Sequence, residues 1–167
     1  LREQMKKLAG SGNRIAHVHV IGAGAMGGDI AAWCAGQDMR VTLADMKPEP
    51  IASAIRRAAD LYGKILRKRT SMRDALDRLM PDMQAEGVRN ADLIIMDEPS
   101  AILAGQELEQ LFQIIETLTQ AGVTIIYISH RLDEVFQIAK NVTVLKDGEL
   151  VGTAPIEQLN RAGLVEM

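Results

Sequence analysis

Six residues near the front of the chain have the spacing that phosphate recognition needs. Gly22-Ala23-Gly24-Ala25-Met26-Gly27 reads G-x-G-x-x-G and follows the β-rich run Ile15-Ala-His-Val-His-Val-Ile21. In that setting the first glycine permits a tight turn and the second lets backbone approach a pyrophosphate. The third lets the next helix lie close to the sheet. The unpaired N–H groups at that helix's N-terminus then face the phosphates. Asp45 ends a second predicted strand, 18 residues past Gly27. A carboxylate there accepts hydrogen bonds from the adenine-ribose hydroxyls and repels a 2′-phosphate, which favours NAD over NADP. The expected cofactor-binding set is Gly22, Ala23, Gly24, Ala25, Met26, Gly27 and Asp45.

A second constellation lies further on. Leu93-Ile-Ile-Met-Asp97-Glu98-Pro-Ser100 is an apolar strand that ends on two carboxylates, the form of a Walker B sequence. One carboxylate suits a Mg²⁺ shell, and the other can orient or deprotonate water. Asp97 and Glu98 are therefore the candidate metal ligands. No G-x-x-x-x-G-K-[ST] accompanies them, because Gly63-Lys64 is followed by Ile65 inside a predicted helix. Without a phosphate cradle and its lysine, most of what accelerates phosphoryl transfer is missing. No residue is assigned a catalytic role.

The elements that must position these groups alternate. Strands are expected at residues 15–21, 40–45, 92–96 and 123–128. The last of these is apolar apart from Thr124, as at the centre of a parallel sheet. Helices are expected at residues 26–37, 51–66, 72–79, 106–120 and 131–140, the second and third forming a hairpin after the second strand. Asp147-Gly148 between two short apolar runs signals a β-hairpin, and residues 155–159 a last helical piece. Such alternation implies an α/β fold, a three-layer Rossmann-like sandwich around a mainly parallel sheet with a C-terminal hairpin. A Rossmann continuation places the 92–96 strand beside the first; an ATPase order inserts the 123–128 strand between them.

The wording around the motifs adds resemblances. Val18-His-Val-Ile-Gly-Ala-Gly-Ala-Met-Gly-Gly-Asp-Ile-Ala-Ala-Trp-Cys34, Val41-Thr-Leu-Ala-Asp45 and Leu76-Asp-Arg-Leu-Met-Pro-Asp82 with Gly87-Val88 resemble the NAD domain of 3-hydroxyacyl-CoA dehydrogenases. That resemblance covers about residues 1–95. It implies NAD on the glycines and Asp45, with the helical hairpin on the acyl-CoA side. The family's catalytic histidine and partner glutamate lie beyond its end. From Leu93 through Ser100, Ile126-Tyr-Ile-Ser-His130-Arg-Leu-Asp-Glu-Val-Phe136 and Val142-Thr-Val-Leu-Lys-Asp-Gly-Glu-Leu-Val-Gly152, the chain resembles the C-terminal part of sugar-importer ABC-transporter ATPases. This second resemblance implies Mg²⁺ at Asp97, a catalytic base at Glu98 and a γ-phosphate contact at His130. Ala104 stands where many members carry Asp, and the family's signature loop is absent.

Both families carry something like Arg-Asn-Ala-Asp-Leu-Ile-Ile here, so the seam falls near residues 89–95. Charge reverses at the same place. Residues 1–90 hold 15 Lys and Arg against 10 Asp and Glu, and residues 91–167 hold 4 against 12. The expectation is one domain, 1–167, made of a dehydrogenase-like half (1–90) and a P-loop-ATPase-like half without its Walker A (91–167). Such a chain reads as a recombined or engineered chimera. Its expected function is non-catalytic nucleotide binding, NAD(H) first, with Mg-ATP held by Asp97 and Glu98 over the glycine loop as one alternative and a fold without ligand as another.

The remaining signals are structural. His17 and His19 share a strand face with no third ligand near. Arg67-Lys-Arg69 has no interleaved aromatics, which argues against nucleic acid. The single Cys34 excludes an internal disulfide and fits the cytoplasm. No apolar run reaches the roughly 18 residues of a membrane span. Residues 1–14 lack the apolar core of an export signal. The chain begins on Leu1 rather than Met, as a fragment would. The expected partners are a dinucleotide or nucleotide, and oligomeric state is not readable.

Overall fold

The computed structural model describes residues 15–66 and 68–161. Residues 1–14, Arg67 of the basic run and residues 162–167 lie outside the described residues. Five parallel strands form the central sheet: β1 (His17–Ile21), β2 (Arg40–Ala44), β3 (Leu79–Pro81), β4 (Leu93–Asp97) and β5 (Thr124–Ile128), in the order β3-β2-β1-β4-β5. This is the Rossmann continuation of the two orders considered. Asp92, at the start of β4, supplies its physical cause. Asp92 Oδ2 accepts the N–H groups of Ala16 and His17 at 2.8 and 2.9 Å. The Asp92 N–H in turn donates to His17 O at 3.0 Å. These bonds fasten the start of β4 to the start of β1, in the register Val20↔Ile95. No room is left for β5 between them.

Helices cover both faces. α1 (Ala25–Gly36), α2 (Pro48–Ile65) and α3 (Arg69–Arg78) lie on one side. α1 buries only small residues, Gly27, Gly28, Ala31, Ala32 and Ala35, so its backbone comes close to the sheet. α2 opens with Pro48 and Pro50 in its first turn, where proline loses nothing. It buries Ile51, Ala54, Ala58 and Tyr62, spaced as an amphipathic stripe. The Tyr62 hydroxyl donates to Ala32 O and so ties α2 to α1. On the other face α4 (Gln106–Gln120) packs Phe112 and Ile115 against Ile94 and Met96. Leu93 and Ile95 point the opposite way into the first core. β4 is thus apolar on both faces because alternate residues serve different layers.

The helical piece expected at residues 155–159 is a 3₁₀ helix at Ile156–Gln158. Two details differ from expectation. β3 lies where the end of a helix and its loop were expected; the helix ends at Arg78 and three residues pair in parallel with β2. β5 is not central but an edge strand, and Ile126 stays 46% exposed. Its apolar residues were read as central because composition carries no neighbour information. After the short helix α5 (Leu132–Ile138), β6 (Asn141–Lys146) turns away and pairs antiparallel with β7 (Glu149–Pro155). Asp147 and Gly148 both take positive φ at this hairpin, as the two-residue turn requires.

Candidate functional site

The glycine loop joins β1 to α1 at the carboxyl edge of the sheet. Gly22 has φ +99°, and its N–H donates to Ala44 O at 2.9 Å. A Cβ there would sit 2.8 Å from Asp97 O, and one on Gly27 would sit 2.0 Å from Gly22 O. Both glycines are demanded by the fold itself. Gly24 is different: a Cβ on it meets nothing nearer than Asp97 Oδ2 at 3.9 Å. Ala23 is buried, while Gly24, Ala25 and Met26 face solvent. Gly28, just beyond the motif, went unremarked in the sequence. A Cβ there would press on Ala54 Cβ at 2.7 Å, where α2 crosses α1.

Asp45 stands where the sequence placed it, just past β2. Its Oδ2 accepts the Ala23 N–H at 2.8 Å and its Oδ1 accepts the Lys47 N–H at 3.1 Å. One carboxylate thereby holds the loop and the entry to α2 together. Arg57, on α2, donates to Gly24 O at 2.8 Å and pairs with Asp29 at 3.1 Å.

The two carboxylates after β4 diverge. Asp97 Oδ2 accepts the Gly27 N–H at 2.7 Å, so it caps α1 from a neighbouring strand. Glu98 holds a left-handed φ of +48°, costly for a residue with a side chain, and its N–H donates to Ile128 O at 3.0 Å. Its Oε1 accepts the His130 N–H at 3.2 Å and lies 2.9 Å from His130 Nδ1. Asp97 thus joins the glycine loop, whereas Glu98 and His130 pair beside it. No group of three or more His, Cys, Asp or Glu among the described residues could hold a metal ion. Asp97 and Glu98, the candidate metal ligands, engage different partners, the Gly27 N–H and His130.

Sequence reasoning missed the group that braces Glu98 and His130. Glu134, on α5, is buried, and its Oε2 accepts the hydroxyls of Ser100 and Tyr127 at 2.7 Å each. Ser129 Oγ follows at 3.3 Å, and Arg131 pairs with Oε1 at 2.7 Å. Burial by itself would raise the Glu134 pKa, but the hydroxyl donors and the Arg131 charge prevail and hold it low. Burial pushes the Tyr127 phenol up to about 12, so it stays a donor. No spacing rule marks this glutamate, because its partners come from three elements.

His17 and His19 are wired into the structure rather than aimed at a ligand. Both meet the Thr42 hydroxyl, through His17 Nε2 at 2.9 Å and His19 Nδ1 at 2.8 Å. Asn90 O, an acceptor only, lies 3.0 Å from His17 Nδ1, which must carry a proton there. In the neutral ring Nε2 then accepts from Thr42, and Thr42 accepts from His19 Nδ1–H. Burial lowers the His19 pKa; Asp82, 3.7 Å away, opposes that, and His17 reinforces it. Burial likewise pushes the Cys34 thiol up to about 11.

A matching family model describes the 3-hydroxyacyl-CoA dehydrogenase NAD binding domain and spans residues 17–127. It runs past residue 95, where the sequence resemblance was expected to stop, and takes in α4 and β5. Among solved structures, 3-hydroxybutyryl-CoA dehydrogenase from Escherichia coli K12 is 22% identical with a TM-score of 0.54, over 70% of this chain and 25% of that one. (S)-3-hydroxybutyryl-CoA dehydrogenase from Ralstonia eutropha is 21% identical with a TM-score of 0.53, over 68% of this chain and 41% of that one. Both are likenesses of fold. A curated relative of another kind is the ribose import ATP-binding protein RbsA 3 of Rubrobacter xylanophilus. It is 53% identical over 78 residues, which are 47% of this chain and 16% of that protein. The chain thus spans about a sixth of that ATP-binding protein and less than half of either dehydrogenase. No helix among the described residues is long and apolar enough to cross a membrane. The chain belongs to the family of 3-hydroxyacyl-CoA dehydrogenase NAD-binding domains.

Proposed function

We propose that this member of the 3-hydroxyacyl-CoA dehydrogenase NAD-binding family binds NAD(H) on the Gly22–Gly27 loop without carrying out chemistry on it. One observation carries the reading. Gly22 and Gly27 are required by internal contacts, but Gly24 faces open space, where a side chain would obstruct only a ligand. A glycine that the fold does not need, at the position a pyrophosphate crosses, argues for a dinucleotide. Asp45 is assigned to the adenine ribose. The chain is taken as one domain, a dehydrogenase-like half (1–90) joined just before β4 to an ATPase-like half (91–167), as in a chimera. The non-catalytic assignment rests on the sequence, in which Asp97 and Glu98 have no G-x-x-x-x-G-K-[ST] phosphate cradle beside them.

A second reading, Mg-ATP held by the loop with Asp97 and Glu98, draws on the 53% identity to a ribose import ATP-binding protein. Titrating NADH and ATP, each with and without Mg²⁺, separates the two. NADH quenching that weakens at least tenfold in Asp45→Ala, with the melting curve retained, is the expected result. ATP binding that needs Mg²⁺ and vanishes in Asp97→Asn would favour the second reading. Silence from both ligands would leave a fold without a ligand.

A further inference from the structure

Asp97 sits at the first turn of α1, the place where a helix after a glycine loop receives phosphate, and it is already engaged there. The first turn of α1 offers unpaired N–H groups. Asp97 Oδ2 takes the one on Gly27 at 2.7 Å and lies 3.9 Å from the Cβ position of Gly24. The helix terminus favours a carboxylate for the same reason that it favours a phosphate. The charged groups around the loop do not cancel Asp97. Arg57 is paired with Asp29, and Asp45 is spent on the N–H groups of Ala23 and Lys47. Asp97 has no ion-pair partner of its own among the described residues.

We propose that Asp97 sets the ligand preference of this site: a resident carboxylate on the phosphate seat makes the adenosine half of a nucleotide bind normally and its diphosphate bind against a like charge. The proposal rests on the NAD(H) reading above and adds a residue that discriminates within it. Two effects act together. A diphosphate must displace Asp97 to reach the Gly27 N–H, and it meets a second negative charge a few ångströms away. Adenosine, bound at the Asp45 end, meets neither.

The test uses the full chain as wild type, Asp97→Asn and Asp97→Ala, with adenosine, ADP and NADH as probes at low and moderate salt. Affinities come from NMR titration for adenosine and ADP, and from fluorescence for NADH. Removing the charge is expected to strengthen ADP and NADH about tenfold and to leave adenosine within about twofold. In the wild type, adding salt is expected to tighten NADH, because screening weakens a repulsion, with no effect on adenosine. That readout needs no variant to fold. Wild-type NADH binding that both variants leave unchanged or weaken overturns the proposal and leaves the NAD(H) reading standing. An equal gain for adenosine overturns it too, since Asp97 would then act on the loop's shape rather than on phosphate. If neither the wild type nor either variant binds any probe, the NAD(H) reading falls and takes the proposal with it.

Discussion

The Thr42 hydroxyl shows how much one residue can organise. It links His17 to His19, and the resulting chain reaches Asn90 on one side and Asp82 on the other. Asp82 also accepts the N–H groups of Glu86 and Gly87, and a Cβ on Gly87 would fall 2.2 Å from Thr42 Oγ1. The turn that delivers β4 is therefore moulded onto two imidazoles. His19 is buried with its pKa below the ordinary 6.5. Below pH 6.5 the unfolded chain takes up a proton that the folded chain refuses, so stability is lost as pH falls from there toward the depressed value. Melting temperature is expected to be flat above pH 7 and to drop as the pH falls from about 6.5 to about 5. Asp92, held low by the His17 and Ala16 N–H groups, adds a separate loss in the carboxylate range below pH 3.8. Thr42→Val should cost about 1–3 kcal/mol in urea unfolding, because it strands a buried ring nitrogen on each histidine. A melting temperature that does not change between pH 7 and 5 would refute the account of His19.

At the scale of elements, the end of β4 is where two constraints meet. β4 places Asp97 under α1 and turns Glu98 into the left-handed region toward β5. That strained turn is kept by α5, whose Glu134 gathers Ser100 from just past β4, Tyr127 from β5 and Ser129. Glu134→Gln keeps the shape but removes the charge that Arg131 and three hydroxyls were arranged around. We expect a loss of about 1–3 kcal/mol by urea denaturation. NADH affinity should stay within about twofold, because the glycine loop hangs from β1 and β2. The sequence displayed Asp97 and Glu98 as the two carboxylates of a Walker B form. They diverge because β4 ends at Asp97 and Glu98 turns into the left-handed region, with a φ of +48°.

For the whole molecule, the five-stranded sheet and the β6–β7 hairpin have different standing. No residue of β6 or β7 belongs to either buried cluster, and every one of them is at least partly exposed. The hairpin follows α5 along the chain, and the bond from Ile156 N–H to Lys140 O at 2.9 Å closes its open end. Truncation after Lys140 is therefore expected to leave NADH affinity unchanged within about twofold and to shift the melting temperature by only a few degrees. A cooperative loss of the far-UV circular dichroism spectrum on truncation would contradict this division. The carboxyl edge of the sheet, by contrast, gathers groups from the whole front of the chain and from the end of β4. Gly22, Asp45 and Asp97 lie 75 residues apart from first to last and meet around one loop.

Local rules were enough for much of this. G-x-G-x-x-G after an apolar run, an acid at the next strand end, Asp147-Gly148 between two short strands and the stripe on α4 each depend on neighbours in sequence. Each was therefore legible without coordinates. Strand order, the exposed edge of β5 and the Glu134 cluster depend on which distant residues meet. In a parallel sheet that is set by crossovers and by long-range bonds such as Asp92 to His17. The glycine loop itself shows the limit. The sequence determined that a phosphate-binding turn would form after β1, since backbone sterics and spacing suffice for that. Only the tertiary structure decided that a carboxylate arriving from β4, some seventy residues later, would already be bonded to its last glycine.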